Sequence, residues 1–400
     1  MQSSETPRRQ KQIYIESIRG LAALVVVLTH FAVVFYPNAV DGSRYQAHEK
    51  WERLFWTTPL NLLVGGRFAV CVFFILSGYV LSLPYFGANA RDNDHLLAAV
   101  VKRPFRLGGM VVFSEVAAVI LLLSGGFFNV TASLRTFSIP HFSSLWPHEL
   151  VNFKTILMDL TARMFQSGLK YDVPLWTIEI ELYGSILTFG FLLLFRNSRL
   201  RFLGYFLAIV CFHHTLYIGF IIGIGIADLA NTFPNLLGSL RRGFITWPLL
   251  LAGLLLGSFP YQADQWSGLQ GTIYEPLGKL TFLAAGPSMP GALLVFAAIF
   301  LSPHLQNLLS HSVFAFLGRI SYSVYAVHFL VLGSFSCWLF LLLNDRLGYD
   351  ASCAITGLLS LIVLIPLSYL LTKYIDEPAT KAANSIGTLW LNTKEPFKAK

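Results

Sequence analysis

Charge is scarce in this chain: 12% of its 400 residues are Asp, Glu, Lys or Arg, about half the share of an average soluble domain. With 55% hydrophobic residues, a soluble surface would expose large adhesive patches. The composition therefore excludes an ordinary globular protein and makes lipid the solvent for much of the chain. Acidic residues are the scarcer sign, giving a net charge of +8, but no basic helix and no alternation of basic and aromatic residues accompanies it. Nucleic-acid binding is excluded on that ground. Cysteine is also rare. Cys71, Cys211, Cys337 and Cys353 lie in or at the ends of apolar runs without metal-type spacing. They read as buried thiols rather than a disulfide framework, with a Cys337–Cys353 bridge near one membrane face as the alternative. No small-residue cleavage site follows the first apolar run, which Arg8, Arg9 and Lys11 precede, so no cleavable signal is expected. An internal repeat is missing too, which weighs against transporters built from duplicated halves.

Apolar runs and aromatics are abundant, with 34 Phe, 16 Tyr and 8 Trp suited to lipid contact, interfacial belts or a dry pocket. Runs at 18–36, 62–85, 107–127, 175–195, 202–217, 218–233, 244–261, 282–302, 318–342 and 353–373 each approach the roughly 20 residues that cross a hydrocarbon core. The expected fold is all-α, a polytopic membrane bundle of about ten transmembrane helices. The expected organisation is an N-terminal tail at 1–14, one membrane domain at 15–378 and a C-terminal tail at 379–400.

An even number of spans puts both termini on one side. With that side cytoplasmic, the inside loops carry Arg91, Lys102, Arg103 and Arg106, then Arg196, Arg199 and Arg201, then Arg241 and Arg242. Lys373, Lys381, Lys394, Lys398 and Lys400 add to the same side. The outside loops are balanced or acidic, with Asp264 and Glu275 against Lys279, and Asp345 and Asp350 against Arg346. This is the positive-inside bias. The longest connection, 128–174, holds the run Leu150–Gly168, which reads as a helix lying in the interface. The sequon Asn129-Val130-Thr131 falls outside, close to a helix end.

Ionisable residues inside spans are costly, so each is a functional candidate. Arg19 and His30 are separated by eleven positions, about three turns and ~16 Å on one helix face. That places Arg19 at the cytoplasmic interface and His30 near mid-membrane. Neutral imidazole is a base near neutral pH, so His30 is the leading catalytic candidate, against a histidine bonded to a neighbouring helix for packing. Arg67 is the single charge of the second span, and Glu179 and Glu181 open the fourth at a matching depth. Arg67 is expected to pair with Glu181 or Glu179, the alternative being a pair that only fixes helix register. His328 falls at nearly the depth of His30. A shared pocket is open to the two histidines, but a polar seam of Ser321, Tyr322 and His328 between helices is the preferred reading. Arg103 and Arg106, at i and i+3, suit phosphates as well as a positive-inside marker.

Four stretches in order resemble the acyltransferase-3 family, integral membrane acyltransferases with ten-helix cores. Arg19 followed by His30 resembles the family's Arg-X10-His element, and Phe73–Ser82, FFILSGYVLS, its second-helix signature containing Tyr79. Leu175–Glu181, LWTIEIE, is similar to the Trp-Ser/Thr-Leu-X-X-Glu pattern and aligns Trp176 and Glu181. Leu317–His328, LGRISYSVYAVH, resembles the late Ser-Tyr-X-X-Tyr-X-X-His helix. Glu16 stands where Asp is commoner, and the usual Gly-Val-Asp is absent around Arg67, which points to a different acceptor. The variations look most like the fungal branch.

The resemblance implies transfer of an acyl group, often acetyl, from acyl-CoA to a hydroxyl of a sugar, lipid or small metabolite. Acyl-CoA would be a co-substrate, with no resident cofactor or metal. In that scheme Arg103, Arg106 and Arg19 hold CoA phosphates at the cytoplasmic mouth, His30 is the base, and Glu181 orients the acceptor or stabilises charge on His30. Arg67, Trp176, Glu179, Tyr79 and His328 are the remaining substrate-side candidates. Two rival readings stand beside it. A proton-coupled transporter would relay protons through His30 and Glu181, and an isoprenoid cyclase on the same scaffold would use a protonated carboxyl. A purely structural scaffold leaves the buried ionisable residues unexplained.

Overall fold

The computed structural model describes residues 6–42, 46–87, 89–139, 142–147, 152–161, 164–166, 169–241, 243–260, 269–279 and 284–393, with side chains of the first helix from Ile13 onward. Arg242, Asp264, Lys394, Lys398 and Lys400, and the side chains of Arg8, Arg9 and Lys11, lie outside the described part.

Each of the ten apolar runs holds a helix. These are α1 (Thr6–Phe35), α2 (Gly66–Ser82), α3 (Asn93–Leu123), α4 (Trp176–Phe195), α5 (Arg201–Phe212), α6 (Ile218–Thr232), α7 (Gly243–Gly257), α8 (Ser288–Leu301), α9 (Ser312–Leu347) and α10 (Tyr349–Asn392). No strand occurs among the described residues. Length and composition make six of these helices able to cross a membrane. The number is eight if α6 with Pro234–Leu240, bent by 101°, and α8 with Pro303–Leu309, bent by 97°, each count as one span. The remaining two, α5 and α7, have 12 and 15 residues and reach only ~18 and ~22 Å, short of a ~30 Å core. Ten apolar helices are thus present, and six to eight of them meet the length of a crossing. Large apolar side chains such as Ile120, Leu194 and Phe206 are exposed on the outer faces, as an integral membrane protein requires.

Of the run 150–168, only Phe153–Leu160 is helical in the described part, shorter than the expected interfacial helix; residues 150–151, 162–163 and 167–168 are outside it. Asn129 is buried, and its amide donates to the carbonyls of Phe142 at 3.0 Å and Leu145 at 2.9 Å. The sequon nitrogen is therefore committed to the fold. Cys337 and Cys353 are separate buried thiols, so the alternative of a bridge between them is not realised.

The most extensive helix pair is α1 with α9. The two run parallel and touch at Gly20 and Gly318, where a Cβ on Gly20 would stand 2.5 Å from the Gly318 nitrogen. Only glycine allows that approach, which lets backbones gain dispersion contact where lipid offers no hydrophobic drive. Antiparallel α2 packs on α1, α4, α6 and α8, while α3 joins α4 and α9. The chain enters α3 through Asp92, whose carboxylate accepts the His95 amide at 3.0 Å. Two π turns interrupt the late helices, Leu332–Ser336 in α9 and Thr372–Asp376 in α10. Beyond the second, residues 377–392 lie along α3, and Lys102 reaches Asn384 at 3.3 Å.

Candidate active site

His30 and His328 each stand ten residues beyond the glycine where their helices touch. Parallel helices that advance equally keep their faces in register, and His328 Nε2 lies 2.9 Å from His30 Nδ1 with ring centroids 4.9 Å apart. The His328 bond to His30 on α1 and the Tyr322 bond to the Leu107 carbonyl on α3, at 2.6 Å, both run between helices, as the seam reading has it, with His30 as a partner that reading did not name. The pair is also nearer one end of the bundle than expected. His30 precedes the end of α1 at Phe35 by five residues, about 8 Å.

Hydrogen-bond partners set the tautomers. His328 Nδ1 is 2.8 Å from the Tyr325 carbonyl, which only accepts, so Nδ1 carries the proton and Nε2 presents its lone pair. His30 Nδ1 faces that lone pair and the Val26 carbonyl at 3.1 Å, so it carries the proton of the neutral ring. The basic lone pair of His30 is then on Nε2. His328 thus does what a carboxylate does in a triad: it holds its neighbour's ring in one tautomer and orientation.

A cavity of about 130 Å³ lies toward the Arg-rich end and is lined by Arg19, Ser77, Arg103, Arg106, Glu181 and Tyr325, among others. Arg103 pairs with Glu181 and donates to Ser185 at 2.8 Å. Ser77 donates to the same Glu181 oxygen at 2.9 Å, and Arg19 reaches Ser77 at 3.5 Å. Arg106 pairs with Asp376 at 2.5 Å and covers the Tyr322 ring. Of the two partners expected for Arg67, Glu181 is corrected. Glu181 belongs to Arg103, and Ser77, which marks the level of Glu181, is ten residues further along α2 than Arg67, about 15 Å. Glu181 likewise does not touch His30, because Arg19 marks its level and lies eleven residues below on α1.

The other candidates lie apart from both centres. Trp176 is 42% exposed at the head of α4. Glu179 faces toward Tyr217, near enough for its charge to act on that hydroxyl. Tyr79 points away from the cavity and packs edge-on against Phe296 and Phe300. Three unforeseen residues take their place. Ser77 and Tyr325 lie inside recognised motifs, and Tyr325 walls the arginine cavity with its ring 5.8 Å from that of His328. Asp376 had no sequence signal, because the π turn that aims it at Arg106 is not visible in residue spacing.

Beneath the pair, Ser114 Oγ contacts both the Asp172 carboxyl and the Ala326 carbonyl, the latter at 2.8 Å. Burial pushes the Asp172 pKa up to about 7, against a lowering by Ser114.

A family model described as an acyltransferase domain matches residues 12–373. The chain is 23% identical to acyltransferase clz18 of Cochliobolus lunatus over 93% of its own length and 95% of that protein. It is 24% identical to the O-acetyltransferase PaAT-1 of Phomopsis amygdali over 81% of its length and 74% of that protein. No solved structure matches the chain. A family match over nearly the whole chain, on a helical membrane bundle carrying the Arg19, His30, Glu181 and His328 elements, makes this protein a member of the acyltransferase-3 family.

Proposed function

We propose that this acyltransferase moves an acyl group, acetyl in the simplest case, from an acyl-CoA to a hydroxyl of a carbohydrate, lipid or small metabolite, with His30 as general base. The observation that carries the reading is the 2.9 Å contact between His30 and His328, which leaves the basic lone pair on His30 Nε2. The hydroxyl proton passes to Nε2 as the oxygen attacks the thioester carbonyl. The carbon–sulfur bond then breaks, and the CoA sulfur takes the proton back from the imidazolium.

Three guanidiniums and one carboxylate line the arginine cavity, so it retains positive charge suited to the phosphates of CoA. Arg103 and Arg106 would meet that ligand from pre-oriented ion pairs rather than as loose cations. Glu181 already accepts from Arg103 and Ser77. That favours a role in holding the arginines and speaks against an acidic proton aimed at an isoprenoid.

Membranes containing wild type or His30→Ala, supplied with labelled acetyl-CoA and extracted hydroxyl compounds, test the reading. Transfer by wild type should fall by about 10²–10⁴-fold in the variant at equal expression. Equal transfer by both would remove His30 from the chemistry.

A further inference from the structure

The acceptor is the substrate that this family varies, and one cavity offers an answer. Helices α1 and α10 both pack on α9, and among the described residues their backbones come close at few points; side chains bridge them at one end, where Tyr349 donates to the Phe35 carbonyl and Tyr36 to Asp350. The gap between them is a cavity of about 260 Å³ whose floor is His328, Val331 and Leu332 and whose walls include Leu28, Phe31 and Leu361. Its polar groups are nearly all spoken for. Ser336 and Ser360 bond each other at 2.6 Å, and Tyr36, at the end of α1, donates to Asp350 at 2.7 Å. The His328 imidazole at the floor is engaged as well, with the Tyr325 carbonyl at Nδ1 and with His30 at Nε2, so the cleft ends against the histidine pair without lining His30 itself. The outer faces of the wall, at Leu358 and Ile362, are exposed as lipid-facing residues are.

We infer that the acyl acceptor is an apolar alcohol that enters from the bilayer through the cleft between α1 and α10 and delivers its hydroxyl to the histidine pair. This rests on His30 being the base. A sugar in the cleft would lose the hydration of several hydroxyls against aliphatic carbon, a cost borne by each one left unbonded. An alcohol with a hydrocarbon body loses none of that, and its single hydroxyl is carried to the end of the cleft that adjoins the histidine pair. Its oxygen forms the new bond to the acyl carbon, the carbon–sulfur bond breaks, and its proton travels through His30 to the CoA sulfur. The donor occupies the arginine cavity and the acceptor the cleft, so both can be bound at once.

Gly357 keeps the cleft open. A Cβ there would meet only the tip of the Phe31 ring, at 3.1 Å, so alanine is accommodated by a small ring shift, whereas a large side chain fills the space.

The full chain in proteoliposomes, with labelled acetyl-CoA and either dodecan-1-ol or glucose, tests the inference. The expected result is transfer to dodecan-1-ol and not to glucose. Transfer should fall at least tenfold in Gly357→Trp and in Leu361→Trp and stay within twofold in Leu358→Trp, on the exposed outer face of α10, with binding of desulfo-CoA unchanged in all three. A diazirine analogue of dodecan-1-ol gives a second readout independent of turnover, its adducts expected on α1 and α10 around Phe31 and Leu361. Acetylation of glucose as readily as dodecan-1-ol overturns the inference, as does full activity in both tryptophan variants. Adducts elsewhere, or adducts that phosphatidylcholine displaces and dodecan-1-ol does not, also overturn it. If wild type acylates neither compound, the acyl-CoA reading fails, and the adduct map alone decides whether the cleft takes an apolar alcohol.

Discussion

His30 and His328 are 298 positions apart in the chain and within hydrogen-bonding distance in the fold. In the proposed mechanism His328 works by accepting a hydrogen bond from its neighbour's Nδ1, so its replacement should be graded. His328→Gln keeps an acceptor oxygen and is expected to retain part of kcat, while His328→Leu should lose tenfold or more with KM for acetyl-CoA little changed. Steady-state kinetics of the two variants separate this positioning role from simple packing. Arg103→Ala strands Glu181 in a mostly buried site with Ser77 as a partner. Removing one side of such a pair costs about 3–5 kcal/mol, so thermal unfolding of the solubilised protein should drop markedly and recover in Arg103→Ala with Glu181→Gln. Sequence depth alone drew Arg67 toward Glu181 because both count a similar number of residues from a helix end. The short turn Val173–Leu175 lowers the head of α4 to the level of Ser114 on α3, and that offset is invisible to counting.

At the scale of elements, the site depends on one helix pair. Gly20 and Gly318 bring α1 and α9 into contact, and equal advance along both does the rest. Gly318→Leu, whose Cβ would collide with the Glu16 backbone, should push the pair apart and abolish transfer while the chain still inserts into membranes. Transfer assays beside membrane fractionation check this. The junction before α4 carries a pH dependence. Asp172 binds its proton more tightly folded, with a pKa of about 7, than unfolded, at its ordinary 3.8. The folded state therefore binds the extra proton between those values, and stability falls as pH rises through them. Asp172→Asn should flatten that dependence and unfold at a higher temperature than wild type at pH 8, measured by thermal melts at pH 6 and 8. The π turns after His328 and before Glu377 belong to this scale too. Each adds a residue to a helical turn and re-aims the side chains beyond it, so no periodicity in the sequence announces them.

Across the whole molecule, basic residues gather at the end where α1 begins and α4 terminates: Arg196 bonds the Arg91 carbonyl at 2.6 Å, and Arg201 meets Asp228. If that end is cytoplasmic, an impermeant maleimide added to sealed, cytosol-side-out microsomes should label Ser198→Cys and not Thr272→Cys. Labelling in the opposite pattern would invert the protein. Asn129 is sealed inside the fold on the other end, so glycosidase treatment should leave the gel migration of the protein unchanged.

Hydrophobic run length, the scarcity of charge and four short motifs were enough to establish a helical membrane acyltransferase and to single out His30, Arg19, Arg103, Arg106 and Glu181. Those features are local, and the cost of polar groups in lipid makes them conspicuous in one dimension. Which of them meet was decided by tertiary packing. The glycine contact of α1 with α9 joined His30 to His328, the offset of α4 gave Glu181 to Arg103, and the gap between α1 and α10 opened a cleft. Helix rotation, axial offset and spacing arise from side chains interlocking between segments far apart in the chain, so no single segment encodes them.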